Sequence, residues 1–373
     1  MKKILISVFA VIFTILMSGL SGDAAEFDID ITGKLETMYD DNITTAKDNQ
    51  RADVVSFVSI GLALTHESDT YDIEAQGEIF QETYWKEDEF NNIGEFVRVA
   101  LNKEFTDIDR VQIKDTFYNA EAVEDFDLEF GRESGRYRYI NNRATLQYER
   151  EINSRLTLTT EYGNEIYEVN RDDLKDSVSH RVRVGLGYAQ TTSTVIGPFY
   201  QWGTREFDPG NDSKTQLIGA TLRHYLSKRL YLDVLGGVSF IEDFNNNDLE
   251  KPYYSATLTN EVGKKTTAKL SFRKDYSTTN STEDIFDSWR ASVALIQDVF
   301  ERLQLELSAF YGEGNYINQN IEDDFIGFRS RLNFELAEEI DVYLSYGYSQ
   351  TDSNDNSRAY DRNVVALGVR FRF

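Results

Sequence analysis

The chain has 373 residues, no cysteine, 13% aromatic residues and a formal net charge of −25 at pH 7. Without cysteine there is no disulfide framework, thiolate metal site or cysteine nucleophile. The acidic balance argues against nucleic acid as a partner, because phosphate binding needs basic surfaces. The chain has three prolines, and so low a content favours sheet, since proline removes a hydrogen bond from the strand ladder.

The N-terminus is typical of a secretory signal peptide. Two lysines precede an apolar run over residues 4–17, which is too short for a membrane-spanning helix, and small residues follow. Gly22 and Ala24 suit the −3 and −1 positions of a cleavage site. We therefore predict a signal peptide over residues 1–24 and a mature domain over residues 25–373, with an uncleaved anchor as the alternative.

The mature chain alternates between apolar and polar residues in segments of similar length. Near its start, Ile29 and Ile31 alternate with Asp28 and Asp30, and a period of two predicts a β-strand because successive side chains point to opposite faces. No stripe with the helical period of 3.6 follows the signal peptide. The pattern predicts eighteen strands, with sixteen as the alternative count, near residues 27–40, 54–66, 70–85, 94–106, 109–121, 136–151, 154–169, 177–191, 193–206, 212–227, 229–244, 251–263, 265–279, 285–299, 301–315, 322–337, 339–351 and 358–373.

Short connections alternate along the chain with long ones that are rich in Asn and Asp. Residues 67–69 and 106–108 are short turns, whereas residues 43–53, 244–250 and 351–357 form long polar loops. This arrangement is typical of a bacterial outer-membrane barrel with both termini in the periplasm. We therefore predict an all-β fold, namely a transmembrane antiparallel up-and-down β-barrel. A soluble all-β protein is the alternative, but its outer faces would be polar, whereas here they are predicted to be apolar.

The longest predicted connection, residues 119–136, is strongly acidic. One hypothesis is that it folds into the barrel and narrows it, and the other is that it forms a short strand extension above the membrane. In the first case acidic side chains would line a constriction: Glu124, Asp125, Asp127 and Glu129.

Charged residues on the predicted inward faces are the candidate selectivity residues. The last strands of a closed barrel adjoin the first, so we expect a basic wall beside an acidic one, and the overall charge predicts a modest cation preference. A barrel of this size should hold a water-filled lumen, although these charges could instead pair across it and fill it. The acids are Asp28, Asp30, Asp72, Glu74 and Glu78, and the arginines are Arg273, Arg290, Arg329, Arg331, Arg370 and Arg372.

The last ten residues, VVALGVRFRF, form an alternating strand that ends on an aromatic residue. Val369, Phe371 and Phe373 lie on its apolar face. We expect this strand to pair with the first one, because an open sheet edge in lipid leaves backbone groups without hydrogen bonds. The terminal Phe is also similar to the signal that outer-membrane assembly machinery recognises, so we predict that machinery as a partner.

The segment Tyr39-Asp40-Asp41-Asn42-Ile43, the signal peptide, the barrel of about 350 residues and the terminal Phe373 together resemble the putative β-barrel porin type 2 family. This resemblance implies a porin-like role and an association with exopolysaccharide systems. It supplies no catalytic residues.

Evidence for an enzyme or a metal site is weak. Among the three histidines, His180 is the best candidate for a Ser-His hydrolase because Ser177 and Ser179 precede it, although a solvated interfacial His is the simpler interpretation. The segment DSNDN at residues 352–356 matches the first half of a calcium loop, but Ser357 stands where the required Gly belongs. We predict no catalytic residues, no metal site and no cofactor.

The predicted function is an outer-membrane channel for polar solutes or an accessory pore in exopolysaccharide export. The alternatives are a non-conducting structural or adhesive surface barrel and, third, a barrel-embedded hydrolase that uses His180. Sec-type export and signal cleavage would place the protein in the outer membrane of a Gram-negative bacterium, in contact with lipids and lipopolysaccharide. The solute and the oligomeric state stay open.

Overall fold

The computed structural model describes residues 27–123, 136–172, 174–208, 210–244, 247–263, 265–278 and 284–373. The predicted signal peptide and the four acids of the predicted constriction, Glu124, Asp125, Asp127 and Glu129, lie outside these ranges.

Over the described ranges, eighteen antiparallel strands form one sheet that closes on itself. Each strand pairs with its neighbours in chain order, and β1 also pairs with β18, so the sheet has no free edge. The strands are β1 Asp28–Asp40, β2 Asp53–Glu67, β3 Tyr71–Tyr84, β4 Asn92–Thr106, β5 Asp109–Val123, β6 Arg136–Asn153, β7 Leu156–Val169, β8 Asp176–Thr191, β9 Thr194–Asp208, β10 Ser213–Tyr225, β11 Leu230–Glu242, β12 Asp248–Val262, β13 Thr266–Thr278, β14 Ile285–Phe300, β15 Leu303–Tyr316, β16 Ile321–Ala337, β17 Ile340–Ser353 and β18 Tyr360–Arg372. A short 3-10 helix, Asp88–Phe90, lies between β3 and β4.

The predicted barrel is confirmed with the higher of the two strand counts. Every predicted strand has a counterpart whose ends differ by a few residues, because a period of two persists along each segment. The limits of the acidic connection were wrong: β5 and β6 stay paired up to Val123 and Arg136, so residues 119–123 belong to a strand. In the part of the chain that the structure describes, no helix is long and apolar enough to cross a membrane.

The inner and outer faces of the wall can be assigned from contacts that skip strands. The Arg205 guanidinium on β9 donates a hydrogen bond of 2.8 Å to the carbonyl oxygen of Thr278 on β13, and the Tyr343 hydroxyl on β17 bonds Glu36 on β1. In a closed barrel such contacts can form only across the lumen, so these side chains face inward. Paired residues on neighbouring strands share a face, and this rule extends the assignment around the barrel.

The outer face is apolar and carries aromatic residues near both ends of the strands. Ile29 and Ile60 are 59% and 64% exposed, which indicates contact with lipid rather than with a protein core. From the middle of the strands toward the long-loop end, outward rings form a continuous ladder over β12 to β15: Tyr254, Phe272, Trp289 and Tyr311. Near the short-turn end, exposed outward rings include Phe105, Phe300 and Phe334. Two aromatic girdles around an apolar band are typical of outer-membrane barrels.

A polar pair near the middle of β5 interrupts the apolar band, so the predicted outward face is not uniformly apolar. Asp115, near the middle of β5, pairs with Ala144 on the outward side and accepts a hydrogen bond of 2.6 Å from the Asn142 amide. The same Asn142 amide also lies 3.4 Å from the Thr116 carbonyl oxygen. The bond gives one carboxylate oxygen a partner within the wall, which lowers the cost of a polar group at this depth.

Two of the prolines mark interruptions in the ladder. The β8–β9 register omits the positions opposite Gly197 and Pro198. The β12–β13 register stops at the pair Tyr254 and Lys274, although β12 begins at Asp248 and contains Pro252 above that pair. Because proline has no N–H to donate, the ladder ends there.

The segment 39–43 joins the first strand to the last at the long-loop end. Asp40 accepts hydrogen bonds from Arg362 at 2.6 and 3.1 Å, and Asp41 accepts bonds from the backbone and side chain of Asn363 at 2.7 and 2.8 Å. Asn42 is fully buried and donates a bond of 2.8 Å to the Asp361 carbonyl oxygen. The segment that carries the family resemblance therefore holds the seam of the barrel.

Candidate functional site: the barrel lumen

The candidate selectivity residues all lie on the lumen side of the wall, as their alternation predicted. Asp28 and Asp30 alternate with the exposed, outward Ile29 and Ile31, and the late arginines lie on the face that Tyr343 shares. The structure shows where these side chains point, and their role in selectivity stays a prediction. The late arginines lie on four of the last six strands, namely β13, β14, β16 and β18: Arg273, Arg290, Arg329, Arg331, Arg370 and Arg372.

The charges differ with height along the lumen. We call the lumen-facing residues near the middle of the strands the waist, and those at the short-turn ends the mouth. The acids of the mouth are Asp28, Asp30, Glu67, Asp72, Glu74, Glu104, Glu149, Glu151, Asp233, Glu261, Asp298, Glu335 and Asp341, and they outnumber its bases, Arg110, Arg223, Lys269 and Arg372. The bases of the waist are Lys34, Arg98, Lys114, Arg143, Arg181, Arg183, Arg273, Arg290, Arg329, Arg331 and Arg370, and they outnumber its acids, Glu36, Glu78, Glu161, Glu165, Asp275 and Glu306. Glu306 and Arg370 belong to the waist because they stand directly opposite Arg331 and Lys34.

This arrangement differs from the expected acidic wall beside a basic one. Four of the predicted acids, Asp28, Asp30, Asp72 and Glu74, lie at the mouth rather than level with the arginines of the waist. Sequence reasoning also missed the arginines of the opposite wall: Arg98, Arg143, Arg181 and Arg183. The charge changes mainly along the axis of the lumen, and the waist is basic although the chain as a whole is acidic.

Several waist arginines lie on aromatic rings of the following strand. The guanidinium carbon lies 4.2 Å from the ring centroid in the pair Arg183–Phe199. It lies 4.1 Å from the centroid in Arg290–Phe310 and 4.0 Å in Arg331–Tyr343. In each pair the arginine stands two residues before the residue that is paired with the ring: Gly185, Ser292 and Asn333. The repeated register predicts the contact, but it becomes visible only when the strand pairing is known.

Glycines on the next strand allow these rings to lie flat against the wall. Phe310 is paired with Gly327, and Tyr343 is paired with Gly368. A Cβ atom at either glycine would overlap the ring. Each ring therefore covers a glycine and supports an arginine on its other side, which keeps the arginine stem close to the wall and leaves the lumen open.

A cavity of about 640 Å³ lies in the lumen beside the seam. Its lining combines guanidinium groups with aromatic rings and small hydroxyl residues, including Arg290, Arg329, Phe310, Ser292 and Ser345. Such a lining offers hydrogen bonds and ring faces beside apolar surface.

The proposed Ser-His pair is not assembled. His180 faces outward, where its Nδ1 lies 2.9 Å from the Tyr162 hydroxyl and 3.3 Å from the Asn164 amide. Ser177 and Ser179 alternate with it and point into the lumen, on the other side of the wall. A nucleophile and its base must be within hydrogen-bond reach, so the hydrolase hypothesis lacks the required geometry.

The segment DSNDN has its oxygens engaged within the protein. The backbone N–H and the hydroxyl of Ser357 donate to Asp355 Oδ1 at 2.9 and 2.8 Å, and these bonds hold the pKa of that carboxyl below its usual value. The Asn354 Oδ1 accepts a hydrogen bond of 3.1 Å from the Glu322 N–H. Among the described residues, no group of three or more His, Cys, Asp or Glu side chains could hold a metal ion.

The C-terminal part of the chain matches a porin family. The model of the family described as Putative beta-barrel porin 2 matches residues 241–373. The resemblance inferred from the sequence is therefore confirmed for this segment, which includes β12 to β18 and the terminal Phe373. Residues 39–43 lie outside the matched range, but their seam partners Asp361, Arg362 and Asn363 lie within it.

Solved structures with a similar fold are outer-membrane proteins. OccK2 (OpdF) of Pseudomonas aeruginosa is similar with a TM-score of 0.53 and 10% identity, over 93% of this chain and 98% of that one. A structure of OccK2 in complex with glucuronate has a TM-score of 0.51 and 11% identity over 93% and 98% of the two chains. OpdQ of the same organism has a TM-score of 0.51 and 9% identity over 93% and 97%. At these identities the likeness shows the fold alone, and no curated protein sequence matches the chain.

Proposed function

We propose that the protein is an outer-membrane channel for polar solutes. The observation that carries this proposal is the closed wall, which is apolar and aromatic outside and charged inside. Lumen side chains stay open to solvent in the middle of the barrel, where those of Arg181 and Arg273 are 51% and 59% exposed. A soluble barrel would bury its apolar face and expose its charged one. A role in exopolysaccharide export rests on the family resemblance alone.

Reconstitution in a planar lipid bilayer tests the channel. We expect stepwise increases in current as single barrels insert, because the lumen is lined by hydrated charges throughout the described strands. A sample that is heat-unfolded before reconstitution serves as the control for detergent leakage. Insertion of folded barrels without any current would contradict the channel and favour the non-conducting surface barrel.

The orientation in the membrane gives a second prediction. With both termini in the periplasm, the long loops face the cell exterior. An epitope tag within residues 351–357, between β17 and β18, should bind antibody on intact cells. The same tag within residues 226–229, between β10 and β11, should bind only after the outer membrane is permeabilised. The reverse pattern would contradict the orientation.

A further inference from the structure

The basic residues of the waist are concentrated in a way that stability does not explain. Arg273 and Arg290 stand directly opposite each other on β13 and β14, and Arg329 and Arg331 are neighbours on one face of β16. Like charges opposite each other destabilise a sheet. Their concentration in the lumen of an acidic protein therefore points to a role with a solute.

The acids of the waist offset only part of this charge. Glu161 pairs with Arg181 at 2.9 Å, and Glu165 pairs with Arg143 at 2.7 Å. Asp275 pairs with Arg273. Because the bases outnumber the acids, the waist keeps an excess of positive charge after these pairs form. Fixed charges on a channel wall select ions of the opposite sign.

The ring contacts determine how the guanidinium groups are presented. Arg183 and Arg331 lie on Phe199 and Tyr343 at the distances given above, and cation–π contacts of this kind stabilise the charged group. The ring restricts the side chain, so the planar group has less conformational freedom to lose when it forms hydrogen bonds. A guanidinium group matches the two oxygens of a carboxylate with two parallel hydrogen bonds. The hydroxyl of Ser345, which stands directly opposite Arg331, can bind a further polar group of a solute.

We propose that the waist is a selectivity filter for small organic anions that carry a carboxylate and hydroxyl groups, bound by the ring-supported arginines Arg183 and Arg331. This inference rests on the proposed channel and names its solute class. It replaces the cation preference that the net charge predicts with an anion preference. The acidic mouth and loops contribute most of the negative net charge, whereas bases are in excess in the waist.

Reversal potentials in a potassium chloride gradient test the anion preference. The wild-type channel should prefer chloride at about 0.1 M salt, and the preference should fade near 1 M because the Debye length shortens from ~10 to ~3 Å. In the double variant Arg183→Gln and Arg331→Gln we expect the chloride-to-potassium permeability ratio to fall by about twofold or more. A wild-type channel that prefers potassium, or a double variant with an unchanged ratio, would overturn the proposal.

Arg223 provides a matched control. It also lies on a ring, 5.6 Å from the centroid of Tyr231, but it belongs to the mouth and forms two hydrogen bonds with Asp233 at 2.6 and 3.1 Å. Arg223→Gln should therefore change the permeability ratio much less than the double variant. An equal change would show that the ratio reports total charge rather than the waist, and the proposal would fail.

A competition measurement tests the solute class. Sodium gluconate, a hydroxylated carboxylate, should reduce the chloride current of the wild-type channel, whereas uncharged sorbitol at the same concentration should not. The double variant Arg183→Lys and Arg331→Lys keeps the charge but loses the planar fork. It should retain the chloride preference and lose most of the gluconate effect. Equal block by gluconate and sorbitol would contradict the carboxylate site, whereas a barrel without any current would contradict the channel itself.

Discussion

In cells that produce Phe373→Ser, we expect most of the protein to be missing from the outer membrane. The ring of Phe373 is 76% exposed and stacks on Phe371 with ring centroids 6.4 Å apart, so it adds little to the folded wall. The backbone of Phe373 exchanges hydrogen bonds of 2.9 and 3.0 Å with Ile31, and serine can keep these bonds. The substitution should therefore affect recognition by the assembly machinery more than the stability of the finished barrel.

Two measurements separate recognition from stability. The heat-modifiable form in outer-membrane fractions reports assembly in cells, and refolding of the purified chain into detergent reports stability without the machinery. Phe373→Ser should reduce the amount of heat-modifiable protein in the outer-membrane fraction. It should leave refolding of the purified chain into detergent close to the wild-type value. Phe300→Ser is the control, because Phe300 is also an exposed outward ring at the short-turn end, with 68% exposure. Wild-type assembly of Phe373→Ser, or an equal defect in Phe300→Ser, would contradict the terminal signal.

The strands could be predicted because each carries its own evidence. A period of two is a local property, and the alternation of short and long connections fixes the direction of each strand. The same reasoning correctly placed residues such as Asp28 and Arg290 on the lumen side. The predicted acidic connection overlapped the predicted strand 109–121, and the strand runs on to Val123, since the pairing of Glu121 with Arg138 and Val123 with Arg136 depends on a partner strand and not on local alternation.

The charge arrangement of the lumen could not be predicted from the face of each residue alone. The height of a residue depends on how far it lies from the short turn of its own strand, so Asp72 and Arg331 share a face but not a level. The ring contacts were hidden for a related reason. Arg183 is sixteen positions from Phe199 in the sequence, and only the β8–β9 register brings them together.

Outward polar residues show a similar limit. Asp115 occupies an outward position of β5, where the alternation would place an apolar residue. Its hydrogen-bond partner Asn142 lies on the next strand. A single strand gave no reason to expect such a pair. Pro252 is the opposite case, since the rule that proline breaks a ladder is local, and the β12–β13 ladder ends beside it.

Asn42→Ala should weaken the seam between β1 and β18. The Asn42 amide donates hydrogen bonds of 2.8 Å to the Ala46 and Asp361 carbonyl oxygens, and its Oδ1 accepts one of 3.1 Å from the Ala46 N–H. Alanine removes all three bonds, which a fully buried side chain forms with the backbone. At roughly 1 kcal/mol of net stability for each bond, we expect the free energy of unfolding to fall by about 2 to 3 kcal/mol.

Urea titration of tryptophan fluorescence in detergent, compared with Asn354→Ala, tests this role of the seam. Asn354 forms similar bonds, to the Asn320 carbonyl oxygen at 2.9 Å and from the Glu322 N–H at 3.1 Å, but these bonds are exposed and lie away from the seam. Water can replace these bonds in Asn354→Ala, so the free energy of unfolding should fall by less than about 1 kcal/mol. Because the first and last strands must meet before the sheet closes, Asn42→Ala should also speed unfolding more than Asn354→Ala does. An equal fall in the free energy of unfolding in the two variants would show that Asn42 acts as an ordinary loop residue. The seam would then be held by the strand ladder alone.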